Sequence, residues 1–103
     1  MTYNLDEKLI QCIRDIGQSY DIDRIILFGS RARGDHKPAS DIDLAVFPLP
    51  EFKSRGHVTS DFEDLNTLLK IDTVFVTENI DPKLMENIGK EGLLLYERAM
   101  HKT

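Results

Sequence analysis

Apolar positions along this chain switch repeatedly between a helical and a strand period. Leu5, Leu9, Ile13 and Ile16 recur at the three- and four-residue spacing of one helix face, with Cys12 and Tyr20 beside them. Asn4 is placed to cap this helix, and Glu7, three residues on, completes a capping box. Cys12 on such a face predicts a buried, inert thiol. "DIDR" breaks the pattern, and Ile25-Ile26-Leu27-Phe28 follows as a short buried strand ended by Gly29. Residues 30–40 are polar, with loop signals at Gly34, Pro38 and Ser40 and room for one helical turn over Ser30–Gly34.

From Asp41 to Phe47 the period is two. Ile42, Leu44 and Val46 point one way, and Asp41, Asp43 and Ala45 the other. Pro48 and Pro50 end this strand, and "EFKSRGH" reads as a mobile loop. Ser60 and Glu63 form a second capping box ahead of a helix face of Phe62, Leu65, Leu68 and Leu69. Ile71–Val76 is a third strand. Asp81-Pro82 is a helix start, with Leu84, Met85 and Ile88 as its buried stripe and Gly92 as its end. Leu93–Tyr96 reads as a last strand. The order is α, β, short α, β, α, β, α, β. It predicts an α/β (α+β) fold, a small mixed sheet of about four strands flanked by helices.

Composition narrows the class. At 103 residues the chain suits one domain over 1–103, with little room for a separate acceptor-binding module. It is 41% apolar and 30% charged, as ordinary soluble domains are. No apolar run approaches the roughly 18–20 residues that cross a bilayer, and the N-terminus has no basic-then-apolar leader. A single cysteine forms no intrachain disulfide, which favours a reducing, cytoplasmic setting. The net charge of −5, with a local basic excess only at Arg31, Arg33, His36 and Lys37, argues against autonomous nucleic-acid binding.

The chemistry sits between residues 27 and 46. Asp41 and Asp43 share a strand face, where like charges repel and burial would worsen the repulsion. A divalent cation reverses that arithmetic, and hard oxygen ligands suit Mg²⁺ or Mn²⁺. Asp72 is a further acid in an otherwise apolar strand. If that strand lies beside Asp41–Asp43, three carboxylates converge, enough for two metals roughly 3.5–4 Å apart. Otherwise Asp72 caps a helix end or pairs with Lys70. Gly29 permits close backbone approach to a phosphate, and Ser30 can offer amide and hydroxyl donors to one. Arg31 and Arg33 are two apart and do not share a helix face, so at most one belongs in the site.

"FGSRARG" followed by "SDIDLAV" resembles the signature of the DNA polymerase β-type nucleotidyltransferase superfamily, and most nearly its minimal nucleotidyltransferase (MNT) branch. That signature is an apolar residue, Gly-Ser, a variable stretch, then Asp-apolar-Asp-apolar. Here it is Phe28-Gly29-Ser30, ten residues, then Asp41-Ile42-Asp43-Leu44. The likeness covers nearly the whole chain, including the "EGLLLYER" tail.

The resemblance implies a nucleotidyltransferase fold and transfer of a nucleoside monophosphate, AMP from ATP, with release of pyrophosphate. It implies that Gly29 and Ser30 hold the triphosphate, helped by Arg31 or Arg33, and that Asp41 and Asp43 ligate two Mg²⁺ ions. Asp72 would ligate the catalytic metal and take the proton of the acceptor hydroxyl. It also implies a HEPN-domain toxin as partner and acceptor, with this chain as antitoxin; some members of the branch modify the toxin on tyrosine. Two alternatives are a non-catalytic antitoxin that neutralises by binding, and an antibiotic-type small-molecule nucleotidyltransferase.

Overall fold

The period-two segment is the centre of the structure. In the computed structural model, which describes residues 5–65 and 67–98, four strands form one sheet: β1 (Ile22–Phe28), β2 (Ile42–Pro48), β3 (Ile71–Phe75) and β4 (Leu93–Glu97). Their order is β3-β2-β1-β4. β1 runs antiparallel to β2 and β4, while β2 and β3 are parallel. The helices are α1 (Glu7–Ser19), α2 (Ser30–Arg33), α3 (Arg55–Glu63) and α4 (Pro82–Glu91). The expected element order and the small mixed sheet are therefore both present.

Alternation along the strands divides the core in two. Ile42, Leu44 and Val46 of β2 join Ile25 and Leu27 of β1 on one face, under Leu9 and Ile13 of α1 and Val58 and Phe62 of α3. Ala45, Phe47 and Phe28 form a smaller cluster on the other face, with Ile88 of α4. Asp43 lies in β2 between residues of the first cluster, so it shares its face with Ala45 and Phe47. That is the face on which α4 packs.

Several local expectations are corrected. α1 begins at Glu7 behind Asp6, whose carboxylate accepts from the Lys8 amide. Asn4, the expected cap, lies outside the described residues. Cys12 is exposed. The buried residues of α1 are Leu9, Ile10, Ile13 and Gly17, and at 100° per residue Cys12 falls roughly 110° from the middle of that stripe. β1 starts three residues early because Ile22 is fully buried despite its polar neighbours.

α3 is the largest difference. It opens at Arg55, inside the expected loop, and ends at Glu63, so Ser60 is interior and caps nothing. Val58 and Phe62 make the decisive i, i+4 pair, and both are fully buried. Each such burial is worth about 1.5–3 kcal/mol, enough to hold a helix whose start has no side-chain cap. Phe52, also in the expected loop, stacks on Phe75 at 6.0 Å and meets Tyr20 edge-on at 6.5 Å. Past Glu63 the helical period no longer applies. Leu68 is fully exposed, while Leu65 and Leu69 only flank the core. In α4, Asp81 caps as expected and Ile88 is buried, but Met85 is exposed. Among the described residues, no helix is long and apolar enough to cross a membrane.

Candidate functional site

β1 ends at Phe28, which pairs with Asp43 of β2, and Asp43 pairs on its other side with Asp72 of β3. The parallel β2–β3 register therefore sets Asp43 and Asp72 side by side. Asp41 is exposed just ahead of β2. Three acids thus lie at one end of the sheet, where β3 forms its outer edge.

Gly29 turns the chain from β1 into α2 directly over Asp43. Its φ of +79° is a region that L side chains rarely enter. A Cβ there would also stand 2.3 Å from Asp43 Oδ2. The backbone conformation calls for glycine, and any side chain there would also have to push the Asp43 carboxylate aside. The Gly29 carbonyl accepts from the amides of Ala32 and Arg33, which closes the single turn of α2. Gly34, at φ +88°, ends that turn with its amide on the Ser30 carbonyl. The Ser30 hydroxyl has no hydrogen-bond partner among the described residues.

The two arginines part company. Arg31 turns inward and is only 6% exposed. Its Nε donates to the Ser40 carbonyl and its Nη2 to the Pro38 carbonyl, both at 3.1 Å. It therefore ties down the turn that delivers Asp41. Arg33 faces the acids. Its Nη1 donates to Glu91 Oε1 at 3.0 Å and its Nε to Asp35 Oδ2 at 3.1 Å. Those two carboxylates, Asp35 first, raise the Arg33 pKa above its ordinary value.

Electrostatically, Asp43 is the strained member. Burial pushes its pKa above the ordinary carboxylate value, and the negative charges of Asp72, Asp41 and Glu91 push the same way. Arg33 opposes them only in part. Asp72 meets Lys70 at 3.5 Å, in a pair where the Lys70 side chain is largely exposed and that of Asp72 half-exposed. Such surface pairs contribute about 0–1 kcal/mol, so Lys70 leaves Asp72 available. Excess negative charge on hard oxygens, half-buried and under-compensated, fits a divalent cation. Among the described residues no three His, Cys, Asp or Glu side chains form a ready cage. The convergence is therefore looser than the spacing suggested. Mg²⁺ is commonly held in just that way, by one or two carboxylates together with water and substrate phosphate.

Glu91 is the site residue that sequence reasoning missed. It is the last residue of α4, and besides Arg33 its Oε1 accepts from the Gly29 amide at 3.3 Å. Its only signal in the sequence is its position. A carboxylate at a helix C-terminus opposes the helix dipole and needs a partner from elsewhere.

The groove of about 500 Å³ between Pro48 and Asn79 lies at the opposite end of β2 and β3, away from every one of these groups. Its lining includes Phe52 and Arg55 but no aspartate.

Residues 11–101 match the family described as "Polymerase beta, Nucleotidyltransferase". No curated protein matches the chain. Among solved structures, a toxin–antitoxin complex with AMP-PNP is similar at TM-score 0.71 and 20% identity, over 88% of this chain and 75% of that one. A putative nucleotidyltransferase from Sulfolobus solfataricus is similar at TM-score 0.60 and 24% identity, over 89% and 80%. A complex of tri-AMPylated Shewanella oneidensis HEPN toxin with MNT antitoxin is similar at TM-score 0.59 and 21% identity, over 90% and 70%. At these identities the likeness establishes a shared fold.

Proposed function

The chain belongs to the polymerase beta nucleotidyltransferase family, and from that premise we propose that it transfers AMP from ATP to a hydroxyl of a partner protein. In this reading the partner is a HEPN toxin, the chain is its antitoxin, and residues 1–103 act as one cytoplasmic domain. The observation that carries the reading is the Asp43–Asp72 register beneath a glycine held at a φ that L side chains rarely adopt. The toxin–antitoxin complexes with AMP-PNP and with an AMPylated HEPN toxin support the choice of ATP and of a protein acceptor.

The reaction would run as an in-line displacement. The acceptor oxygen attacks the α-phosphorus, the bond from that phosphorus to the bridging oxygen breaks, and pyrophosphate leaves. Asp41, Asp43 and Asp72 would hold Mg²⁺, or Mn²⁺ in its place. When bound, the ions supply charge neutralisation around the phosphate oxygens. The chain itself supplies position. Gly29 N–H and the Ser30 hydroxyl donate to phosphate oxygens, and Arg33 adds positive charge beside them. Arg31 acts at one remove by holding the Pro38–Ser40 turn, which fixes where Asp41 sits ahead of β2. Asp72 receives the acceptor proton on its carboxylate. It is fitted to do so because β3 is an edge strand, open to a chain approaching from outside. Prepaid orientation and charge placement of this kind account for most of the rate in phosphoryl-type transfer.

The test is label transfer from α-labelled ATP to the toxin with Mg²⁺ present. Asp41→Ala and Asp43→Ala should each abolish transfer while the protein stays folded, and retained transfer in both would defeat the reading. The likeness to toxin–antitoxin complexes also fits a second reading, neutralisation by binding alone. That reading predicts that the same variants still protect cells from the toxin.

A further inference from the structure

The Glu91 carboxylate stands where its surroundings oppose it. It closes α4 at the negative end of the helix dipole. It faces Asp43, and the two charges repel. It is nonetheless only 22% exposed at the side chain and accepts two hydrogen bonds on one oxygen, from Arg33 Nη1 and the Gly29 amide.

The backbone builds this placement. A Cβ on Gly92 would lie 2.5 Å from Ile26 Cγ2 and 2.3 Å from the Ile88 carbonyl oxygen. The junction of α4 with β4 therefore presses directly on β1, the strand that ends at Gly29. The last carboxylate of α4 is carried to the mouth of the glycine turn.

A carboxylate oxygen and a phosphate oxygen make the same demands on these donors: a guanidinium N–H and a backbone N–H converging on one anionic atom. Resting on the nucleotide-binding reading above, we propose that Glu91 is an internal occupant of the phosphate subsite, which an incoming nucleotide must displace from Gly29 and Arg33. A phosphate carries more charge than Glu91 and is not tethered at a helix C-terminus, so it wins the exchange at the cost of part of its affinity. Arg33 keeps its second partner, Asp35, throughout. Glu91 thereby keeps the donors paired and weakens binding of any ligand without a strongly anionic tail. A purely positioning role, in which Glu91 aims Arg33 at the phosphate, predicts the opposite effect of removing it.

The experiment is calorimetric titration of a non-hydrolysable ATP analogue with Mg²⁺ into the wild type, Glu91→Gln and Glu91→Ala. The amide resonance of Gly29 is followed in parallel. Loss of a competing charge-assisted contact should tighten binding about tenfold in both variants. The Gly29 resonance of ligand-free Glu91→Ala should lose the shift that nucleotide removes in the wild type. Binding by the variants but not by the wild type would support the proposal equally. Equal or weaker binding in the variants, with the wild type still binding, would overturn the proposal and leave the functional reading intact. Failure of all three to bind would remove both. Glu91→Gln, which keeps the side-chain shape, decides the matter should Glu91→Ala fail to fold.

Discussion

Replacing Gly29 with alanine isolates the geometry on which the site depends. Two separate costs follow from the structure. The backbone at φ +79° and ψ −158° lies in a region that is essentially glycine-only, and forcing alanine into it costs about 1–3 kcal/mol. The new methyl would also stand 2.3 Å from Asp43 Oδ2 and 3.1 Å from its Cγ. The obstacle is the end of a rotatable side chain, so Asp43 gives way at an off-rotamer cost of about 0.5–1.5 kcal/mol. Together they come to about 1.5–4.5 kcal/mol, a large share of a stability on the order of 5–15 kcal/mol. Equilibrium urea denaturation of the wild type, Gly29→Ala, Asp43→Ala and the double variant separates the two parts. In the Asp43→Ala background the steric part vanishes and the backbone part remains, so the cycle should return a coupling of about 0.5–1.5 kcal/mol. Nucleotide affinity should fall further than stability, because a displaced Asp43 no longer faces Asp72. A Gly29→Ala cost below about 0.5 kcal/mol, or an equal cost in both backgrounds, would refute the reasoning.

Asp43→Asn should raise thermal stability at neutral pH in metal-free buffer. The folded-state pKa of Asp43 is raised, so the fold binds its proton more tightly than the unfolded chain does, and wild-type stability falls as pH rises through that interval. The advantage of the variant should be full above the folded pKa and should disappear below about pH 4, near the unfolded value. Thermal melts of both proteins from pH 3 to 8 check this, and a pH-independent difference contradicts it. Arg31→Met should cost about 2–4 kcal/mol in denaturation, since it removes a buried guanidinium from two carbonyls. Arg31→Lys should not restore the loss because it lacks the fork. Near-normal stability with collapsed nucleotide affinity would instead put Arg31 on the phosphate.

Much of this was legible from spacing. The period-two run through Asp41–Val46 gave the central strand and its two faces. Gly-Ser ahead of it, ten residues before Asp-x-Asp, marked the turn and the acids together. The pairing of Asp72 with Asp43 could be stated only as a condition, because strand neighbours and register are tertiary facts. Three features escaped because their signals are weak or absent. Val58 and Phe62 were hidden by a window opened at Ser60, when burial and not a cap holds α3. Nothing in "SRARG" says which arginine turns inward, since that depends on where the Pro38 and Ser40 carbonyls lie. Glu91 belongs to no spaced motif. It reaches the site from 62 residues beyond Gly29, through the packing of Gly92 against β1.

The central claim is that a metal–nucleotide complex seats at the Gly29 end of β2 and β3. Paramagnetic broadening by Mn²⁺ tests it most directly, in amide spectra recorded with a non-hydrolysable ATP analogue. The amides of Gly29, Ser30, Asp43 and Asp72 should vanish first, at low ion-to-protein ratios, and Asp43→Asn should abolish the effect. Broadening centred instead on Leu49 and Thr77, at the groove end of the same strands, would contradict the account.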